Sequence, residues 1–207
     1  MRLSGLFVPP ALFRHPNQGE KLMSTHKIYR TARIACLASA TALLAACASM
    51  EAAGPKASAT LEPRSGSKVS GTVSFQAVGD KLRVEGRISG LTPGEHGFHV
   101  HESGDCSAPD AISAKGHFNP AAKPHGHHGG AERHAGDMPN LVADASGNAT
   151  ISGEVAMLSL GSDANSILNR SVVIHADPDD YKSQPAGNSG KRVACGTIRA
   201  VAAGSRY

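Results

Sequence analysis

The 207-residue chain carries 21 Lys+Arg against 17 Asp+Glu, a formal net charge of +4, with 40% hydrophobic residues, 4% aromatic residues and no tryptophan. That surplus alone would suit an anionic partner such as nucleic acid, but six of the basic residues (Arg2, Arg14, Lys21, Lys27, Arg30 and Arg33) lie in Met1 to Cys47 beside a single acid, Glu20. The remainder holds 15 basic and 16 acidic residues, which excludes a polybasic nucleic-acid surface and places the basicity in a targeting segment.

Residues 1–47 read as that segment. His26 to Arg33 is a cationic run, and Ile34 to Ala46 is apolar but too short to span a bilayer as a helix. Leu44-Ala45-Ala46-Cys47 resembles the bacterial lipobox, which implies cleavage before Cys47 and acylation of its sulfur. Ala48, in place of an aspartate, suits outer-membrane retention in that class; an ordinary secretory signal with an incidental cysteine is the alternative. Met1 to Leu22 matches no part of a signal, so Met23 is the expected start. Residues 48–56 are small and polar with Pro55, a linker, and a single domain is expected over 57–207.

Within that domain the hydropathy alternates. Strands are expected over Ala57–Glu62, Val69–Ala77 and Lys81–Ser89, with turns at Pro63-Arg64-Ser65-Gly66, Gly79-Asp80 and Thr92-Pro93-Gly94. A further strand carries His99, and later ones cover Ala149–Val155, Ser171–His175 and Arg192–Ala200. Short strands at regular spacing indicate an all-β antiparallel sandwich or barrel. Two long segments, Ser103–Pro139 and Ala176–Lys191, lack strand character, and loops of that length in a compact domain are usually functional.

The first of these loops continues a concentration of metal ligands. Seven of the eleven histidines fall between His99 and Asp137. His99 and His101 are two apart in an apolar run, so a strand projects both to one face. His134 and Asp137 are three apart beside glycine, close enough for a turn to bring both to one ion. Nitrogen-rich sets suit copper or zinc, and a mixed imidazole and carboxylate set suits zinc. Apart from Cys36 and Cys47 in the leader, Cys106 and Cys195 remain, and in an exported protein such a pair reads as a disulfide. It would pin the metal-bearing loop to the last strand.

Gly97-Phe-His-Val-His-Glu102 and Gly187-Asn-Ser-Gly-Lys-Arg-Val-Ala-Cys-Gly196, with the cysteine pair and the strand pattern, resemble the copper/zinc superoxide dismutases in their bacterial exported form, over about Ala57 to Ala200. The resemblance implies an eight-stranded Greek-key barrel or sandwich with two long functional loops. It also implies dismutation of superoxide to oxygen and hydrogen peroxide at a copper centre bridged to zinc by a histidine, protecting the cell envelope. Carried over by position, the copper ligands are His99, His101, His117 and His175, with His117 also the bridge. The zinc ligands are His117, His125, His134 and Asp137, although His127 and His128 lie near enough to compete with His125. Asp179 matches a carboxylate that links a copper-bound to a zinc-bound histidine, His96 a structural histidine, and Arg192 the arginine that attracts and orients superoxide.

The partners expected are superoxide, no nucleic acid, and a membrane only through a lipid anchor on Cys47; a homodimer is one state open to the family. The expected location is the periplasm or outer membrane. A periplasmic copper or zinc storage protein on the same barrel is the alternative, and it needs neither the arginine nor a bridged pair. A structural sandwich with incidental metal binding predicts scattered ligands, and a hydrolytic zinc enzyme needs an open zinc position that four protein ligands leave no room for.

Overall fold

The computed structural model describes residues 54–202; the leader, with Met23 and Cys47, lies outside the described residues. Ten short strands follow in order: β1 (Lys56–Pro63), β2 (Ser70–Val78), β3 (Lys81–Ser89), β4 (Gly94–His96), β5 (Phe98–His101), β6 (Leu141–Ala143), β7 (Ala149–Val155), β8 (Ser171–His175), β9 (Arg192–Thr197) and β10 (Arg199–Ala200). A single 3-10 turn, Ile112–Ala114, interrupts the first long loop.

Eight strands form one antiparallel sheet in the order β5-β8-β9-β1-β2-β3-β7, with β10 also on β1, while β4 and β6 pair separately. Because β4 runs into β5 through Gly97 and β6 into β7 through the Asp144–Asn148 turn, the small pair connects the two edges of a sheet curled into a half-barrel. The connections from β3 to β4 and from β7 to β8 cross over their neighbours, the Greek-key arrangement. Alternation does the folding work in β3, where Leu82, Val84 and Ile88 face the core while Lys81, Arg83, Glu85 and Arg87 face water.

The strands match the sequence expectations except at these points. β4 begins at Gly94, inside an expected turn, and stands apart from β5. β1 starts at Lys56, inside the expected linker; the last strand breaks at Ile198 into β9 and β10; and β6 has no counterpart in the hydropathy, since three residues are too few to display a period.

The site depends on strands that break the inside-outside rule. All residues of β5 and β8 are buried. Phe98, Val100, Val172 and Ile174 belong to the barrel core, whereas His99, His101, Val173 and His175 point to the outer face and are buried beneath the long loops. Register sets His99 opposite Val173 and His101 opposite Ser171. Between β8 and β9 Val173 stands opposite Cys195, and an irregularity after Ile174 brings His175 opposite Arg192. The outer face of three adjacent strands therefore carries three histidines, an arginine and a half-cystine.

Candidate metal centre

The edge of β5 is where the first loop returns. Val100 N–H donates to the Gly136 carbonyl at 3.0 Å, Phe118 N–H to Val100 at 2.8 Å, and Glu102 N–H to Gly116 at 2.9 Å. These bonds cap an otherwise open edge and bring His117 opposite His101 and Asp137 opposite His99. A Cβ at Gly136 would run into the Val100 carbonyl, so the close approach requires glycine.

Two sets of donor atoms result, each converging within 4.8 Å: His99, His101, His117 and His175 in one, and His117, His125, His134 and Asp137 in the other, all buried. His117 belongs to both. Every expected ligand is therefore brought together. His125, rather than His127 or His128, completes the second set; His127 is exposed, His128 is half-buried, and their rings lie 4.1 Å apart outside both sets. His96 also lies outside them, with Nδ1 donating to the His175 carbonyl at 2.9 Å and Nε2 2.8 Å from the Thr92 carbonyl.

The outer partners determine which ring nitrogen faces inward. A carboxylate or carbonyl oxygen outside the two sets only accepts, so the imidazole nitrogen beside it carries the proton and the other keeps its lone pair. His99 Nε2 donates to Asp179 Oδ2 at 2.8 Å and His125 Nε2 to Asp179 Oδ1 at 2.9 Å, turning both Nδ1 atoms inward. His101 Nδ1 donates to the Lys115 carbonyl at 2.9 Å and His175 Nδ1 lies 3.4 Å from that of Gly190. Their Nε2 atoms thus face each other at 3.4 Å with lone pairs on both. Two lone pairs so placed repel unless a cation lies between them.

The second set fits a cation equally well. Nδ1 of His117, His125 and His134 lie 2.8, 3.1 and 3.3 Å from the one oxygen Asp137 Oδ1. Ligands held at about 2.0 Å in a zinc tetrahedron are separated by about 3.3 Å, so the cluster has the size of a closed zinc shell. Among the described residues five buried side-chain polar atoms lack a hydrogen-bond partner, and four are imidazole nitrogens of these sets: His99 Nδ1, His117 Nε2, His125 Nδ1 and His134 Nδ1. Buried polar atoms are seldom left unpaired, and metal ligation accounts for all four. The residues present fit two metal ions.

Asp179 is itself held. Its carboxylate also accepts the Tyr181 N–H at 2.7 Å, and the Asn140 side-chain amide accepts the Asp179 N–H at 2.9 Å and donates to its carbonyl at 3.0 Å. Gly187, at φ +66°, passes so close that a Cβ would collide with the Asp179 carboxylate. Arg133 is buried against the second set, donating through Nη1 to the carbonyls of His134 at 2.9 Å and Asp137 at 3.2 Å. Arg133 and Asn140 escaped the sequence reading because their partners are main-chain atoms that no spacing rule addresses, and Tyr181 because the bond is made by its own main-chain N–H, which carries no side-chain identity.

Arg192 stands beside the first set. Its Nη1 donates to the Ala111 carbonyl at 2.7 Å. Ala111 and Ala114 pack with Val173 and Cys195 in a small cluster outside the barrel core, against Cys106. The Cys106–Cys195 disulfide is present, with Cα atoms 5.7 Å apart. Sulfur bridge, loop carbonyl and guanidinium therefore form one mechanical unit.

The charges follow from burial and pairing. Burial, then neighbouring rings, then Arg192 push the His101 imidazole well below the ordinary histidine value, and His175 likewise. Burial also lowers His99, and takes His117 down to about 4, against the pull of their carboxylate partners. In His125 burial acts downward too, but with no metal bound the carboxylates of Asp137, 3.1 Å from Nδ1, and Asp179, 2.9 Å from Nε2, outweigh it and hold the ring up at about 9. Burial would raise both carboxyl groups, yet the imidazoles beside them keep Asp137 and Asp179 well below the usual carboxylate range.

These directions set the stability of the protein once it is stripped with a chelator. Folding holds His99, His101, His117 and His175 below the ordinary value near 6.5 at which their unfolded forms protonate, so the unfolded chain binds more protons than the folded one as the pH falls. His125 opposes this: its contribution is complete below about 6.5 and is lost as the pH rises through about 9. With four groups against one, the metal-free melting temperature is expected to drop between pH 7.5 and pH 5. Circular dichroism melts check this, and a constant or rising value would contradict neutral burial.

Residues 69–198, more than half of the chain, match the sequence model of a family described as Copper/zinc superoxide dismutase (SODC). The chain is 44% identical over 137 residues to an extracellular superoxide dismutase [Cu-Zn] of Caenorhabditis elegans, covering 63% of this chain and 61% of that protein. It is 49% identical over 115 residues to superoxide dismutase [Cu-Zn] 2 of Aquifex aeolicus, covering 53% of this chain and 67% of the relative. It thus spans about two thirds or less of the length of these two relatives. Among solved structures, that of the clock protein EA4 superposes with a TM-score of 0.65 at 40% identity, over 70% of this chain and 94% of the other.

Proposed function

Because the chain belongs to the copper/zinc superoxide dismutase family, we propose that it converts superoxide to dioxygen and hydrogen peroxide, with His117 joining a copper site to a zinc site. The observation that carries this reading is the position of His117: Nδ1 lies 2.8 Å from Asp137 Oδ1 in the second donor set, while Nε2 is buried without a partner in the first. One imidazole is thus shared by two differently composed sites.

His99, His101, His117 and His175 would hold copper through nitrogen alone, and His117, His125, His134 and Asp137 would hold zinc through three nitrogens and one oxygen. Copper supplies the one-electron redox chemistry that zinc lacks. The chain's own residues do the rest. Arg192 attracts and orients the anion with a charge that does not titrate. Among the described residues only one of its N–H groups is engaged, that directed at Ala111, which leaves others for substrate. His117 Nε2 is the buried ring atom that takes up a proton and passes it to the second superoxide as it is reduced, solvent providing the other proton. Asp179 holds the rings of His99 and His125 in one tautomer throughout. One superoxide is oxidised and one is reduced, so two superoxides and two protons yield one dioxygen and one hydrogen peroxide.

The leader composition and the Leu44–Cys47 motif support export to the cell envelope with a lipid anchor on Cys47, and the extracellular relative agrees with an exported protein. Protection of that compartment from superoxide belongs to the same proposal.

The test is stopped-flow superoxide decay with the protein loaded with copper and zinc. Copper-dependent turnover is expected, falling about tenfold or more in Arg192→Ala at unchanged metal content, the range of electrostatic steering. Stoichiometric metal binding without turnover would sink the enzyme reading and leave storage or delivery.

A further inference from the structure

Pro124-His125-Gly126-His127-His128 offers three histidines to the second donor set, and a slip of two or three residues would exchange one for another. No local feature ranks them. The fold does so from the opposite loop, through a residue that belongs to neither set: Gln184 Nε2 donates to the His125 carbonyl at 2.9 Å, and Gln184 Oε1 accepts the His125 N–H at 2.9 Å. A single planar amide, with donor and acceptor side by side, thus satisfies both main-chain groups of one residue, as a β-bridge partner would.

The side chain of His125 must meet two constraints at once. Its Nε2 donates to Asp179 and its Nδ1 turns toward Asp137, 3.1 Å away. Only a main chain held at one position and angle delivers both. His127 is held locally, its Nδ1 accepting from Gly129 N–H at 3.1 Å and its carbonyl from Gly130 N–H at 2.7 Å, with no tie to the second loop through its own main chain among the described residues. Gln184 is exposed and braced by a further bond from Nε2 to the Lys182 carbonyl at 3.3 Å, so its amide is available for substitution without opening the core.

We propose that Gln184 is a positioning residue that selects His125, over His127 and His128, as the third histidine of the zinc site. This rests on the zinc reading of that donor set given above. Gln184 makes no contact with metal or substrate; it fixes the register of the segment that supplies the ligand. Without it, the histidines two and three positions along compete for the same place.

The experiment titrates zinc into the full-length chelator-stripped protein against a chromophoric competitor, and records the visible spectrum of cobalt(II) bound in its place. Four proteins are compared: wild type, Gln184→Met, His127→Ala/His128→Ala, and the triple variant. Methionine keeps the length of glutamine and removes both hydrogen bonds. The His127/His128 variant is expected to match wild type. Gln184→Met is expected to bind zinc about tenfold or more weakly, in the range of outer-partner losses, with an altered cobalt spectrum. The triple variant is expected to bind more weakly still, because the substitute ligands are gone. Wild-type affinity and spectrum in Gln184→Met would overturn the proposal; so would weakened binding with an unchanged spectrum and no further loss in the triple variant, which would make Gln184 a simple brace. Should Gln184→Met not fold by far-UV circular dichroism, Gln184→Glu, which keeps the acceptor and drops the donor, replaces it and is expected to show a smaller loss in the same direction. If wild type takes up no zinc equivalent, or His134→Ala, which has no neighbouring histidine to replace it, binds zinc as tightly as wild type, it is the zinc reading itself that fails, an outcome distinct from equal binding by wild type and Gln184→Met.

Discussion

Replacing His175 with alanine is expected to abolish superoxide turnover and lower copper affinity by more than about 100-fold, while zinc uptake stays near its wild-type level. His134→Ala is expected to do the converse to the metals, releasing zinc and retaining copper. The asymmetry follows from membership: His175 belongs only to the all-nitrogen set, His134 only to the set containing Asp137, and His117 to both. Loss of an outer partner alone costs 10–100-fold in metal affinity, and loss of a direct ligand costs more. The effect of His175→Ala is sharpened by what it leaves behind, since His101 Nε2 loses the facing nitrogen at 3.4 Å that closes its side of the site. Metal content by mass spectrometry and stopped-flow decay are read on the same samples. Equal loss of both metals in each variant would show that the two sets are one cooperative cluster rather than two sites. His117→Ala should then provide the reference, because it is expected to lose both in either case.

Removing the disulfide as Cys106→Ala/Cys195→Ala is expected to destabilise the protein by about 4.6 kcal/mol on the chain-entropy model, for cysteines 89 residues apart. For a domain of this size that lowers the melting temperature by on the order of 10 °C or more. Alanine is the right replacement, since Cys195 is fully buried beside Val173, Ala111 and Ala114, where a serine hydroxyl would add an unpaired polar group. Turnover is expected to fall as well, at a temperature where the variant is folded and loaded. The bridge pins the loop whose Ala111 carbonyl anchors Arg192. Adding Arg192→Ala to the disulfide variant should therefore cost less than the two separate losses combined, as expected for groups acting through one another. Full additivity would separate the sulfur bridge from the guanidinium, and an unchanged rate in the disulfide variant would confine the bridge to stability.

Several features are legible in the chain alone. The alternation in β3, the i, i+2 pair His99 and His101, and the turn pair His134 and Asp137 each express a local geometric rule, so spacing carries them. β6 was not legible, since its three residues are paired to β4 by the closing of the sheet rather than by any pattern of their own. Arg133, Asn140 and Gln184 were not legible for a different reason. Their roles are hydrogen bonds to main-chain atoms, in the two amides across 39 and 59 residues, and a carbonyl has no side-chain identity to search for.

By itself the sequence determined the types of donor residue and the antiparallel β character, because both rest on residue chemistry and periods of a few residues, while the order of the full donor sets came from the family resemblance. The family resemblance implied His125 and the link through Asp179, but no spacing does: the tertiary structure brings His125 rather than His127 or His128 into the second donor set, sets two rings on Asp179, and buries a histidine face of three strands rather than wetting it. These outcomes depend on the crossing of two long loops over the outer face of β5, β8 and β9, where the partners of each bond come from distant positions. Long-range closure, not local preference, sets which lone pairs meet.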